Sequence, residues 1–218
     1  MDMYQKREMR KNKKMDENTK SLPSTSINWF PGHMAKTRRQ IAEDLKLIDI
    51  VIELLDARIP LASRNPDIKE ITKNKKKIIL LNKCDLADDK LNQKWVEALS
   101  KEAPVILTDS NSGKGIDKVL KKIDEIMEPE KLRQQNRGIK NKTTRVMILG
   151  IPNVGKSSFI NRIAKRNTAV VGNKPGVTKQ KQWIRIGKNI ELLDTPGVLW
   201  PKFQDEKIAL NLAFTGTI

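Results

Sequence analysis

Gly150-Ile151-Pro152-Asn153-Val154-Gly155-Lys156-Ser157 places two glycines, four residues apart, ahead of a lysine and a hydroxyl residue. Glycine lets backbone N–H groups curl around phosphate oxygens without a Cβ in the way, and a helix starting here directs its positive end at the same anion. Lys156 is then expected at the β- and γ-phosphates, where its charge also serves catalysis, and Ser157 offers an oxygen to Mg²⁺. Asn153, Val154, Gly155, Lys156, Ser157 and Ser158 are the expected contacts of this loop. An apolar strand, Arg145 to Leu149, precedes it and a helical pattern follows, which is the context such a loop requires.

Two further motifs complete a triphosphate site. Asp194-Thr195-Pro196-Gly197 follows an apolar strand, Ile190 to Leu193, about forty residues after Lys156. Asp194 is expected to hold Mg²⁺ from the far side and Gly197 to sense the γ-phosphate. Between them, Thr178 in Pro175-Gly176-Val177-Thr178 is the candidate switch threonine, completing the metal shell when the γ-phosphate is present; the alternative is an ordinary solvent-facing threonine.

Asn82-Lys83-Cys84-Asp85 identifies the base. A carboxylate accepts hydrogen bonds from guanine N1–H and its exocyclic amine, and adenine offers neither, so Asp85 selects GTP by leaving a charge unpaired against the wrong base. Lys83 can lay its stem along the ring, and Asn82 is expected to tie this loop to the phosphate loop. Asp109-Ser110-Asn111-Ser112-Gly113 has the position of a loop that offers a backbone N–H to guanine O6, with Asp109 and Ser110 as its contacts.

Positioning these loops requires a sheet. Asp49 to Leu55, Lys77 to Leu81 and Pro104 to Thr108 read as buried strands, with helices at Leu91 to Lys101 and Ile116 to Met127. Alternation of this kind predicts an α/β fold, a mainly parallel sheet flanked by helices. Charged residues from Pro129 to Thr143 read as a surface linker between two halves. Residues 1–26 read as a flexible basic arm, and 27–218 as one nucleotide-binding domain whose first element is anchored by the Trp29-Phe30-Pro31-Gly32-His33-Met34 cluster.

The formal charge of +17 and pI near 9.9 point to a polyanionic partner, with nucleic acid ahead of an acidic membrane surface. From Arg162 to Lys188 the chain carries eight basic residues and no acidic one. Phosphate contacts there would make RNA affinity fall with salt; a solvated face is the alternative. Trp183 and Trp200 could stack bases, although core packing or nucleotide shielding is the commoner use of tryptophan. The longest apolar segment, Ile48 to Leu55, is interrupted by Asp49 and Glu53 and is far short of a membrane span. A single cysteine, Cys84, fits a reducing compartment, and acidic residues within the arm argue against an organelle leader, so a cytoplasmic home is expected, with an organellar version of the same reading as the alternative; a monomer is expected.

In ordinary small GTPases the phosphate loop comes before the base motif, and here the order is reversed. A parallel sheet tolerates joining its old ends and opening elsewhere, so the motif order is that of a circularly permuted domain. Trp29 to Met34, Asp56-Ala57-Arg58-Ile59-Pro60, Asn82 to Asp85, Gly150 to Ser158, and Asp194 to Gly197 with Leu199-Trp200-Pro201 carry a close resemblance to the circularly permuted GTPases of the RbgA/YlqF type. The resemblance spans Ile27 to the C-terminus and implies a slow GTPase acting in large-subunit ribosome assembly, stimulated by ribosomal RNA. A non-catalytic GTP-dependent RNA-binding module, and a GTP switch at acidic membranes, are the competing readings. The family continues past the position matching Ile218 into a helical RNA-binding domain, which implies either a fragment or reduced docking.

Where many GTPases place a water-orienting glutamine after the Asp-x-x-Gly motif, this chain has Val198 and Leu199. The resemblance implies that His33 takes part in hydrolysis, against the alternative of a structural hydrogen bonder. It further implies that Asn153 holds K⁺ near the phosphates, against the alternative that it stabilises the loop.

Overall fold

The structure is a computed structural model and describes residues 33–139, 142–165, 182–199 and 205–217. In chain order the elements are α1 (His33–Asp44), β1 (Ile50–Asp56), α2 (Pro66–Ile71), β2 (Lys76–Asn82), α3 (Asp89–Ser100), β3 (Val105–Leu107), α4 (Ile116–Asn136), β4 (Thr144–Leu149), α5 (Lys156–Ala164), β5 (Gln182–Ile186), β6 (Ile190–Asp194) and α6 (Glu206–Phe214). The strands form one sheet in the order β3-β2-β1-β4-β6-β5. Every pairing is parallel except β5 with β6.

β1 lies in the middle of the sheet, and every one of its residues is buried, which is why it reads as a nearly continuous apolar run. It pairs with β2 on one side and β4 on the other, so Ile50 to Glu53 align with Val146 to Leu149 and the two halves of the chain share one sheet. Helices cover both faces. Val119 and Ile123 of α4 and Phe159 and Ile160 of α5 pack on Ile52, Leu80 and Ile148. Ile41 and the following Leu45 and Ile48 pack with Val51, Met147 and Leu193 on the opposite face. A third cluster sets Leu99 against Leu81 and Cys84.

Glu53 is a charge inside this frame. Arg64 grips it through Nε and Nη2, both at 3.0 Å, and Lys77 lies 3.4 Å away. Arg64 also reaches Glu102, whose carboxyl is held down at about 2 against its partial burial by that guanidinium and by Lys77 and Lys69.

The helix expected to stop at Met127 runs to Asn136 with Pro129 inside it, so the stretch read as a linker over 129–143 begins as helix. Proline removes one in-helix N–H. Burial of Met127 and the pairs Lys76–Glu130 and Lys131–Asp124, both 2.7 Å, hold the turns around it. β5 was not expected from the sequence. Its residues alternate outward and inward in Trp183, Ile184, Arg185 and Ile186, a pattern hidden within the basic run. No described helix is long and apolar enough to cross a membrane.

Candidate nucleotide site

The parallel strands β1, β2 and β4 end on the same side of the sheet, and the loops that follow them meet there. After β4 the chain turns through Gly150, where an added Cβ would lie 2.7 Å from the carbonyl oxygen of Leu54. At Gly155 φ is +99°, and a Cβ would fall 2.4 Å from Nδ2 of Asn82. Both conditions exclude other residues. α5 opens at Lys156, so its N-terminal N–H groups face the loop.

The Lys156 side chain is buried, and its Nζ donates to the carbonyls of Gly150 at 3.1 Å and Ile151 at 2.7 Å. Burial pulls the ammonium down to about 8, with the Asp194 charge acting in the opposite sense. Gly197 lies against the same loop: a Cβ there would stand 2.7 Å from Pro152 N and 3.0 Å from Lys156 Nζ. Val198 N–H donates to the Gly150 carbonyl, the Thr195 hydroxyl to the Ile148 carbonyl at 2.6 Å, and Asn65 Nδ2 to the Val198 carbonyl at 2.9 Å. Gly197 is thus placed where motion of its loop would be felt by Lys156.

The donor set fits a hard cation. Asp194 is fully buried, and neither of its oxygens accepts a hydrogen bond of ordinary geometry, although Gln182 and the Thr195 N–H lie close enough to act on its charge. Burial pushes this carboxyl up, while the nearby Lys156 draws it down. Among the described residues no three His, Cys, Asp or Glu side chains converge, so a cation beside Ser157 and Asp194 would take most of its ligands from phosphate and water. Thr178 lies outside the described residues.

Asn82 joins the base motif to this loop. Its Nδ2 donates to the Val154 carbonyl at 2.9 Å, while its Oδ1 accepts from the Ser110 hydroxyl at 2.8 Å and the Ser110 N–H at 3.2 Å. One buried amide therefore ties together the phosphate loop, the base motif and the loop after β3. Lys83 has φ +59°, and its Nζ donates to the Asn153 carbonyl at 2.8 Å while pairing with Asp56 at 3.1 Å. Asp85 is exposed beside them, available to a ligand. Asp109 accepts from the N–H groups of Asn111 and Ser112; the Ser112 hydroxyl first, and then these N–H groups, hold its carboxyl below its usual range. Asp109 thereby shapes the loop that presents Ser110.

Several residues named in the sequence have contacts that it did not foretell. Asp56 anchors Lys83 and is itself held by Arg58 through Nε at 2.9 Å and Nη2 at 2.7 Å; together these pull its carboxyl down against the effect of burial. Arg162, counted among the RNA-facing cations, instead directs Nε to the Ser110 carbonyl at 3.1 Å. Asn153 Nδ2 donates to the Gly216 carbonyl just after α6. Val198 and Leu199 are both buried, so the position after Gly197 offers no side chain to orient water. His33 opens α1, and Trp29 and Trp200 lie outside the described residues. Trp183 does not pack in the core: it is 45% exposed at the sheet edge.

Known proteins similar to this chain are GTPases. A family profile described as 50S ribosome-binding GTPase matches residues 145–217. Proteins named Ribosome biogenesis GTPase A from Bacillus licheniformis and Bacillus pumilus are 51% and 52% identical, with 88% of this chain covering 68% and 69% of theirs. The crystal structure of GNP-bound YlqF from Thermotoga maritima superimposes with a TM-score of 0.61 at 34% identity, over 84% of this chain and 66% of that one. The chain thus spans about two thirds of the length of these relatives.

Proposed function

This chain belongs to the ribosome biogenesis GTPase A family and is a circularly permuted P-loop GTPase, and from that premise we propose that it acts in assembly of the large ribosomal subunit, with hydrolysis stimulated by the ribosomal particle. The observation that carries the reading is the clasp of Asn82 on Val154 and Ser110, which brings a guanine-reading motif and a phosphate loop together on a chain of charge +17. Such a charge suits a ribosomal RNA partner. The names of the Bacillus relatives support the assembly role.

In this proposal Asp85 reads guanine, Ser110 presents its N–H to the base, and Lys156 moves from the Gly150 and Ile151 carbonyls onto the β- and γ-phosphates. Asp194 and Ser157 would hold Mg²⁺, and Thr178 would join them in the presence of the γ-phosphate. When bound, the ion offsets charge on the phosphate oxygens. With Val198 and Leu199 buried, orientation of the attacking water falls to another group, and His33 is the residue proposed for it. Asn153 is proposed to hold K⁺ beside the phosphates, which would turn its amide away from Gly216.

The test is GTP hydrolysis in K⁺ and in Na⁺ buffer at fixed ionic strength, with and without purified large ribosomal subunits. Turnover stimulated by subunits, and more so in K⁺, is expected. Unstimulated turnover with GTP still bound would overturn the assembly role in favour of a GTP-dependent RNA-binding module.

A further inference from the structure

The outer edge of the sheet carries a second surface, across the sheet from the base motif and beginning one residue beyond Gln182, the neighbour of Asp194. Strand register places Arg145, Glu191 and Arg185 in one row across β4, β6 and β5, and Met147, Leu193 and Trp183 in the next. Residues opposite one another share a face. Met147 and Leu193 are covered by the cluster around Ile41, but Trp183 at the edge is not, remaining 45% exposed. The Arg145 guanidinium lies over its ring, 5.5 Å from the centroid.

Beside this pair a groove of about 480 Å³ runs along the ends of β1 and β4, lined by Lys46, Asp49, Lys142, Thr143, Arg145 and Glu191 among others. Lys46, Lys142, Arg145, Arg185 and Lys188 are all exposed here. Two carboxylates meet them, Asp49 at 3.5 Å from Lys142 and Glu191 at 3.5 Å from Arg145, so a positive surplus remains. Arg145 enters β4 five residues before Gly150, roughly 17 Å away at strand spacing.

We propose that Trp183 with Arg145 and Arg185 forms a stacking platform for an unpaired RNA base, and that the basic side chains of the adjoining groove receive the flanking phosphates. An exposed indole and a planar guanidinium both accept a nucleobase face, and stacking needs no particular base. The inference rests on the reading of ribosomal RNA as partner and gives that RNA a place on the sheet.

The experiment measures binding of the full chain, by fluorescence anisotropy, to a labelled single-stranded oligoadenylate and a duplex RNA of about 12 nucleotides each. Wild type, Trp183→Ala, Trp183→Phe and the double variant Arg145→Ala/Arg185→Ala are compared, with GTP affinity as the check on folding. Trp183→Ala should weaken the single strand about tenfold while affecting the duplex little, and Trp183→Phe should recover most of the loss. The double variant should weaken both RNAs and flatten their salt dependence. Equal single-strand affinity for wild type and Trp183→Ala would overturn this inference and leave the RNA partner standing. No RNA binding by wild type at low salt would overturn both. Loss by Trp183→Ala of binding to phosphatidylserine vesicles, with RNA binding unchanged, would reassign the platform to a lipid surface.

Discussion

Asn82 donates its side-chain amide to the Val154 carbonyl at 2.9 Å, across 72 positions of sequence. The same side chain accepts from Ser110, so three loops from two halves of the chain depend on one buried residue. Asn82→Ala leaves the Val154 carbonyl and the Ser110 donors without their partner. Each buried group so stranded costs about 1–3 kcal/mol. The variant should unfold at lower urea with an unchanged slope, losing about 3 kcal/mol, and its GTP affinity should fall at least tenfold.

Lys156 and Asp194 make stability depend on pH in an unusual sense. The buried ammonium titrates at about 8 instead of 10.5, so between those values the unfolded chain binds the additional proton. Stability contributed by this group is therefore present above about 10.5 and lost as pH falls to about 8. Asp194, raised above 3.8, contributes stability below that value and loses it as pH rises through its folded pKa. Thermal unfolding of the nucleotide-free protein should accordingly show Asp194→Asn more stable than wild type at neutral pH while Mg²⁺-dependent GTP binding is lost.

Arg64 is the only described cation that grips Glu53 with two hydrogen bonds. Arg64→Ala leaves that carboxylate inside the sheet with Lys77 alone, and breaking such a buried pair costs about 3–5 kcal/mol. A loss of that size in chemical denaturation is expected. Glu102 adds an acid transition: its stabilising charge, present above 4.5, is lost as pH falls through about 2, and Glu102→Gln should flatten stability over that interval.

Asn153 separates two roles. If it holds K⁺, Asn153→Ala should hydrolyse GTP at one rate in K⁺ and Na⁺ buffers. If its bond to Gly216 is what matters, the variant should keep its cation preference and lose thermal stability instead.

The nucleotide motifs were legible because their chemistry depends on residue type at fixed local spacing. Gly150, Gly155, Lys156, Asn82 and Asp85 carry their roles in the text of the chain. Asp56 was named only for the family resemblance and Arg162 only as a basic residue, because no nucleotide motif marks their reach to Lys83 and to Ser110, whereas Asn82, whose partners are as distant, sits within one. The central strands announced themselves as apolar runs, whereas β5 is an edge strand whose outward residues, Trp183 and Arg185, blended into a basic segment. The α4 boundary was misread because Pro129 usually ends a helix, and here flanking ion pairs carry the helix past it.

The central claim is that a base motif from the first half and a phosphate loop from the second close on one guanine nucleotide. The direct test is the affinity of wild type and Asp85→Asn for GTP and for XTP, whose C2 oxygen replaces the exocyclic amine. An asparagine amide can donate to that oxygen, whereas a carboxylate cannot. Asp85→Asn should lose GTP affinity by roughly a hundredfold and gain XTP. Equal GTP affinity in the two proteins would contradict the claim, because Asp85 would then not be reading the base.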